Sequence, residues 1–452
     1  MASKRRTPVV FHPSGFATAR TRHFDLLDRL TFLGGSSIQP RIFRGLPRGL
    51  PRLGFWRGEC VPKRRTLMNR LHIAALALLS SMQFAGVAHA VVIDMVTVGD
   101  PGNADDTTGY GSVGYEYQIG KYEVTIGQYV SFLNAVAATD PYGLYNAFLG
   151  SMQPATAYSK GIGRYTEDGR YRYYASGPIG STPAGANDRD QRPVTFVSWY
   201  DTARFANWMS NGQPNGGGTS TTTENGAYNV YGRGGPPTTG WSTVSRNGVN
   251  PNTGLPPTFW IPTENEWYKA AYYSPLLNSG AGGYWNYATQ SNSVPGNSLG
   301  DSLNQANFYA GNLSVTQSAS YVADQNYLTN VGAFSDSASF YGTYDQSGNV
   351  FELNDLAGDG AGVGSRGGAW NEEFALLPKT VRFATTTTDT DQGGYSEGFR
   401  LAAAPVPEPS TWVMGAVGIA CGGWQMFRRR RARVSLTQPD AAAQSPATPA
   451  WR

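Results

Sequence analysis

Three short amphipathic stretches punctuate an otherwise irregular chain. Thr125-Ile-Gly-Gln128 opens the first, which runs toward Val136 with Tyr129, Phe132, Leu133 and Val136 on one face. Ser198-Trp-Tyr-Asp201 opens the second, ending near Met209 and presenting Phe205 and Met209 from one side. Thr263-Glu-Asn-Glu266 opens the third and turns Trp267, Ala270 and Ala271 inward. Each start is a capping box, in which the hydroxyl accepts from an amide three residues on and the acid or amide there reaches back. Pro262 before the third cap and Pro275 after its end fit as punctuation. Short apolar runs at 115–122, 194–197, 259–261, 350–353 and 398–402 predict strands. Gly, Tyr, Trp, Asn, Ser and Thr dominate the rest, and no internal repeat is visible. The pattern predicts an α+β fold, loop-rich, with short helices and small antiparallel sheets around an aromatic core.

The two ends have a different character. Residues 68–90 read as a signal peptide, with Arg70 at the basic start, an apolar stretch from Ile73 to Leu79, and Ala88-His89-Ala90 as the cleavage site. That stretch is too short for an anchor. Residues 1–67 are rich in Arg, Pro and Gly without periodicity, and read as a disordered basic extension. Either translation begins at Met68, or Arg64-Arg65 marks a long twin-arginine leader. Both routes take the protein out of the cytoplasm. At the other end an apolar run at 411–427 approaches the ~20 residues a bilayer needs. Arg428 to Arg431 follow it and predict a cytoplasmic end, leaving the body outside. The Ala/Pro/Gln/Ser-rich tail, 432–452, reads as disordered.

Charge changes the picture less than the formal +4 suggests. The excess of Arg and Lys sits in 1–67 and at 428–433, whereas acids outnumber bases in the body between them. Nucleic-acid binding is therefore not expected. Both cysteines, Cys60 and Cys421, and all four histidines, His12, His23, His72 and His89, lie outside 91–404. A body without thiol or imidazole excludes Ser-His, Cys-His, zinc-finger and His-ligated iron or copper chemistry within one chain.

Candidate chemistry centres on the stretch 341–355. Asp345, Gly348, Val350 and Glu352 fall at i, i+3, i+5 and i+7. If Gly348 turns the chain sharply, two carboxylates and two backbone carbonyls point into one small space, as a hard cation such as calcium requires. The alternative is an Asp-initiated turn feeding an edge strand.

Several motifs carry a family resemblance. They are Gly120-Lys-Tyr-Glu-Val-Thr125 with Gln128-Tyr129, Arg192-Pro-Val-Thr-Phe-Val-Ser-Trp-Tyr-Asp-Thr-Ala-Arg-Phe-Ala-Asn-Trp208, and Pro262-Thr-Glu-Asn-Glu-Trp267. Gly348-Asn-Val-Phe-Glu352, Arg366-Gly-Gly-Ala-Trp370 and Gly398-Phe-Arg-Leu401 complete the set. In this order they resemble the sulfatase-modifying-factor, or formylglycine-generating-enzyme, family. The resemblance implies a C-type-lectin-like variant fold with bound calcium. It places one calcium at Asp345, Gly348, Val350 and Glu352, and another at Asn307, Phe308 and Asp324, with Asn326 nearby.

Oxidising members of that family use two cysteines that bind copper and follow the Arg-Gly-Gly motif. Here Glu372 and Leu377 fall where those thiols are needed. Neither supplies the soft thiolate that Cu(I) prefers, so no copper is expected. Iron-dependent relatives need histidines that the body lacks. The expected role is a non-catalytic, calcium-stabilised binding or structural domain. Rival readings are a sulfatase-activating oxidase and a glycan hydrolase using Glu372/Glu373 or Glu264/Glu266 as acid and base. The Trp and Tyr content, including Trp199, Trp208, Trp241, Trp260, Trp285 and Trp370, also admits stacking on sugar rings, although aromatic residues more often form core. Arg366 and Arg400 are expected to pair with core carboxylates. Pro407-Glu408-Pro409 with the following apolar run (405–431 in all) resembles a PEP-CTERM sorting signal. That resemblance implies signal peptidase and exosortase as processing partners, transient membrane anchoring, and a final place at the cell surface or in its polysaccharide matrix. Envelope polysaccharide or a surface protein is the expected partner.

Overall fold

The computed structural model describes residues 90–150, 158–176, 188–233, 242–322, 325–385 and 394–405. The signal segment up to His89, Asp324, the Pro-Glu-Pro motif and the expected anchor at 411–427 lie outside the described residues. Among the described residues no helix is long and apolar enough to cross a membrane.

All three capping boxes form. Helix α1 (Ile126–Val136) is capped by Thr125 and Gln128 and buries Tyr129, Phe132, Leu133 and Val136, as its periodicity predicts. Helix α2 (Trp199–Ser210) is capped by Ser198 and Asp201, and helix α3 (Glu264–Tyr272) by Thr263 and Glu266. The prediction of a one-sided α2 is corrected: all twelve of its residues are buried. Loops wrap its polar side because its polar side chains bind them. Arg204 grips Glu224 at 2.7 and 2.8 Å, and Asn207 donates to the carbonyls of Thr223 and Tyr228. Phe132 of α1 meets Phe205 and Trp208 of α2 at ring separations of 5.2 and 5.3 Å, and Phe205 meets Phe399 at 5.5 Å.

Strands β1 (Met95–Val98), β2 (Tyr117–Gly120), β5 (Phe259–Trp260) and β12 (Ala402–Ala403) form one antiparallel sheet in the order β1-β2-β12-β5. The beginning and end of the domain thereby close on each other. A second sheet runs β10-β9-β8-β11, from β8 (Phe351–Asn354), β9 (Val363–Arg366), β10 (Phe383–Thr385) and β11 (Glu397–Gly398). Its β8–β11 pair is parallel, a departure from the expected antiparallel pattern. The single strand predicted at 398–402 is divided between the two sheets. Its middle turns Arg400 into the protein interior, while the Phe399 and Leu401 carbonyls accept from Val124 and Gly120. The strand predicted at 194–197 does not form: Phe196 takes a positive φ of 56°, which breaks any ladder, and the nearest pairing is the Thr125–Pro193 bridge at its start.

A hairpin of β3 (Ile162–Glu167) and β4 (Arg170–Ala175) was not anticipated, although Asp168-Gly169 carries its signal. Both residues take positive φ, 50° and 74°, as the tight turn that matches strand twist requires. A smaller ladder joins β6 (Tyr273–Ser274) to β7 (Gly283–Tyr284). The architecture is thus α+β, with few short helices, small and mostly antiparallel sheets, and long irregular connections.

Candidate functional site

The chain before β8 makes a buried turn. Asp345, Gly348 and Asn349 all have positive φ, at 61°, 89° and 60°. At Gly348 a side chain is excluded twice, by that backbone conformation and because a Cβ would collide with the Asn307 carbonyl oxygen. Asn307 and Gly348 are bridge partners, and the Asn349 amide donates to the Asn307 carbonyl at 2.8 Å. Asn307–Phe308 and Gly348–Val350, assigned to separate cation sites from sequence, therefore lie side by side. The Asn349 side chain joins three segments. Its oxygen accepts from Asn307 Nδ2 (3.0 Å), from the Thr329 amide and from the Thr329 hydroxyl, while its Nδ2 donates to Glu123 (3.1 Å).

Expected ligands take differing roles. Both carboxylate oxygens of Glu352 are held by Arg400, and Oε2 also accepts from Trp267 Nε1 at 2.8 Å. Arg400 spends its remaining donors on the carbonyls of Gly120, Lys121 and Tyr344. Val350 packs its side chain with Leu313, Tyr327, Leu328 and Trp370. Phe308 packs with Tyr287, Ala306 and Leu377, and its carbonyl accepts from Asn297 and Ser314. Asn326 ties Lys160 to Leu328.

Asp345 accepts from the Gly332 amide at 2.6 Å. Burial pushes its pKa up to about 6 and the Glu352 charge adds to this, while the Gly332 hydrogen bond and Arg400 oppose it. A cavity of about 10 Å³ adjoins it, walled by Thr289, Gln305, Ser337 and Gln346, with room for one water or small ion.

Glu123, which the sequence reading missed, is 2% exposed. Its Oε1 accepts from Asn349, and its Oε2 has no partner among the described residues. Burial first, then Asp345 and Glu352, hold its pKa well above the carboxylate range. Its place in Lys-Tyr-Glu-Val-Thr was visible, but not its partner more than two hundred residues away.

These donors suit a hard cation in part. Asp345 and the small oxygen-lined cavity fit, whereas Glu352 is already neutralised by Arg400. Among the described residues no three His, Cys, Asp or Glu side chains gather at ligating range, so backbone and amide oxygens would have to complete the shell.

From β9 the chain passes through Gly367 and Gly368, at φ 101° and 78°, into Trp370, whose amide donates to the Asn349 carbonyl at 3.0 Å. The turn is thereby joined to the segment 371–377. Asn371 and Glu372 are half-buried there, Glu373 and Phe374 are exposed, and Leu377 is wholly buried. Tyr309 pairs alongside, its amide donating to the Glu372 carbonyl at 2.9 Å. A groove of about 390 Å³ opens here, lined by Val294, Pro295, Phe308, Tyr309, Glu373 and Phe374 among others.

Residues 107–405 match the model of the sulfatase-modifying factor enzyme 1-like domain. The chain belongs to this family. Among solved structures it is similar to CarF, at 19% identity over 70% of this chain and 100% of that one, with a TM-score of 0.37. It is also similar to PvdO from Pseudomonas aeruginosa, at 17% identity over 70% and 93% of the two chains and a TM-score of 0.33. Treponema denticola variable protein 1 gives 17% identity over 71% and 98%, with a TM-score of 0.35. No curated protein sequence matches.

Within this sulfatase-modifying-factor-like domain, the Glu264/Glu266 pair is unsuited to hydrolysis. Arg366 and Arg382 both hold Glu264, at 2.7–2.8 Å. Glu266 closes the α3 capping box and receives Trp260 and Tyr115. The domain's Arg366–Glu264 and Arg400–Glu352 pairs are the core partnerships expected of these arginines.

Proposed function

We propose that this domain is a non-catalytic binding module of the sulfatase-modifying-factor family, exported and displayed at the cell surface or in its extracellular matrix. The observation carrying the reading is the pair Glu372 and Leu377, standing where oxidising members need thiols. Leu377 is sealed among Tyr287, Ala306 and Phe308, a setting for an alkyl side chain and not for a metal ligand. The absence of Cys and His from 107–405 supports the same conclusion.

Export through the 68–90 signal with cleavage after Ala90, and exosortase processing near Pro407-Glu408-Pro409, belong to this reading. Calcium does too, as a structural ion at the Asp345 turn. Asp345 would hold it with the Gly348 and Val350 carbonyls, Glu352 being shared with Arg400. Asn307, Phe308 and Asp324 would form the second ion's shell. Such ions would pin irregular loops rather than take part in chemistry.

The decisive experiment incubates the purified secreted protein with a sulfatase peptide, copper and oxygen. No formylglycine and no retained copper are expected, and either product would overturn the reading. Adding calcium to chelator-treated protein is expected to raise Tm. An unchanged Tm would remove the ion from the proposal. Mass spectrometry of the secreted form is expected to find Val91 first and a C-terminus near Pro409.

A further inference from the structure

Above the Asn371–Phe374 rim the chain gathers tyrosines around one tryptophan. Trp370 and Tyr327 lie flat on each other, with centroids 5.6 Å apart and planes within 11°. Tyr158 and Tyr321 stack at 4.7 Å, and both approach Trp370 edgewise, at 6.3 and 6.1 Å. Tyr395 reaches Trp370 from another side, at 6.4 Å. The inner rings, Trp370 and Tyr327, are core. Tyr321 and Tyr395 are not, being 48% and 41% exposed.

Polar groups at this place are incompletely paired. Asn371 Nδ2 donates to Glu372 at 3.1 Å and to the Tyr395 hydroxyl at 3.4 Å. Asn371 Oδ1 and Trp370 Nε1 have no partner among the described residues, and Trp370 is only 2% exposed. A buried donor or acceptor left unmade is costly, and native proteins rarely leave two together without a water or ligand to complete them. The apolar groove begins directly alongside. Tyr309 and Glu373 line it, and Tyr309 also packs against the aromatic cluster.

Half-exposed ring faces beside an amide and a carboxylate match a molecule with an apolar face and a rim of hydroxyls. A pyranose ring has both. Ring faces supply apolar area, and a few placed polar groups fix orientation. Charge narrows the class further. Glu372 and Glu373 on the rim repel uronate or sulfate groups and attract ammonium groups. We propose that the Tyr321–Tyr395–Asn371 rim binds pyranose units of an uncharged or amino-bearing glycan, whose chain continues into the adjoining groove. This deepens the binding-module reading and rests on it, but the two fail separately. Copper-dependent oxidation would sink the parent reading. Absence of glycan binding by a protein that still neither retains copper nor oxidises peptide sinks only this one.

The test titrates the full secreted protein with cellohexaose, a chitosan oligomer, a polyuronate oligomer and an unstructured Gly/Ser-rich peptide. Tryptophan fluorescence and saturation-transfer NMR report binding. Response to cellohexaose or chitosan, and none to the polyuronate or peptide, is expected. Tyr321→Ala and Tyr395→Ala should each weaken binding about fivefold to tenfold, a loss of ring contact. Tyr165→Ala, on the exposed face of the β3–β4 hairpin, should leave it unchanged. Asn371→Ala removes a polar arm together with its hydrogen bond to the Tyr395 hydroxyl, leaves the Trp370–Tyr327 and Tyr158–Tyr321 stacks in place, and should weaken binding even if a tyrosine variant melts early. The proposal is overturned by silence toward both sugars, by preference for polyuronate or peptide, or by full binding in Asn371→Ala and the tyrosine variants alike.

Discussion

Two neighbouring regions of this domain follow opposite rules. In the frame around Arg400, Glu352 and Asn349, the central hydrogen-bonding groups bind other parts of the same chain, and Asn349 alone joins four residues. On the rim from Asn371 to Phe374, Glu373 and Phe374 face outward, while Asn371 and Glu372 are half-buried and, among the described residues, bind only each other and the Tyr395 hydroxyl through their side chains. The hydrogen bond from the Trp370 amide to the Asn349 carbonyl connects the two. The contrast separates residues that hold the fold from residues free to vary on it. Residues whose partners are internal cannot be exchanged singly, whereas residues facing outward can.

The largest effect that tests this contrast is in the frame. Arg400→Met would leave Glu352 buried and unpaired beside Glu123 and Asp345. Breaking a buried pair on one side costs ~3–5 kcal/mol. Urea denaturation monitored by fluorescence should show a loss of that order. A loss below about 1 kcal/mol would mean that the frame relaxes as easily as the rim. Gly348→Ala comes next. Strain at positive φ costs of order 1–3 kcal/mol, and the collision with the Asn307 carbonyl adds to it. The same denaturation series should place it just below Arg400→Met.

A third effect lies in the α2 cap and depends on pH. Burial pushes the Asp201 pKa up to about 7, against two hydrogen bonds from Ser198 and the Arg204 charge. The folded protein therefore holds this proton more tightly than the unfolded chain. Its contribution is fully present below about pH 4 and is lost as pH rises through 7. Asp201→Asn can still accept at the cap but cannot ionise. Its stability should lose this decline between pH 4 and 7, and parallel curves for both proteins would refute the assignment.

Much of the frame could be read locally. A capping box needs only four residues, and Thr125, Ser198 and Thr263 each declare one. The turn at Gly348 was legible because glycine marks a backbone position open to few others. Glu123 was not, because its meaning depends on Asn349 and Asp345, far away in sequence. For the same reason the spacing of Asp345 and Glu352 suggested two equivalent ligands, whereas long-range pairing gives Glu352 to Arg400. The full burial of α2 was hidden too, since Arg204 and Asn207 look like surface residues until Glu224 and Tyr228 arrive from the following loop. The rim's aromatic residues come from four separate stretches, and nothing in any one of them announces a shared surface.

The smallest expected effect is the sharpest discriminator. Glu373 is exposed and carries no side-chain hydrogen bond among the described residues, its link to Tyr309 being through the backbone. Glu373→Gln should therefore change stability by less than about 0.5 kcal/mol, as surface substitutions away from buried features do. It should nevertheless relax discrimination on the rim, because one of the two charges repelling polyuronate is gone. A variant that melts like the wild type yet newly accepts polyuronate would place the selectivity in the rim alone. A variant that melts several degrees lower would show that rim and frame are one structure.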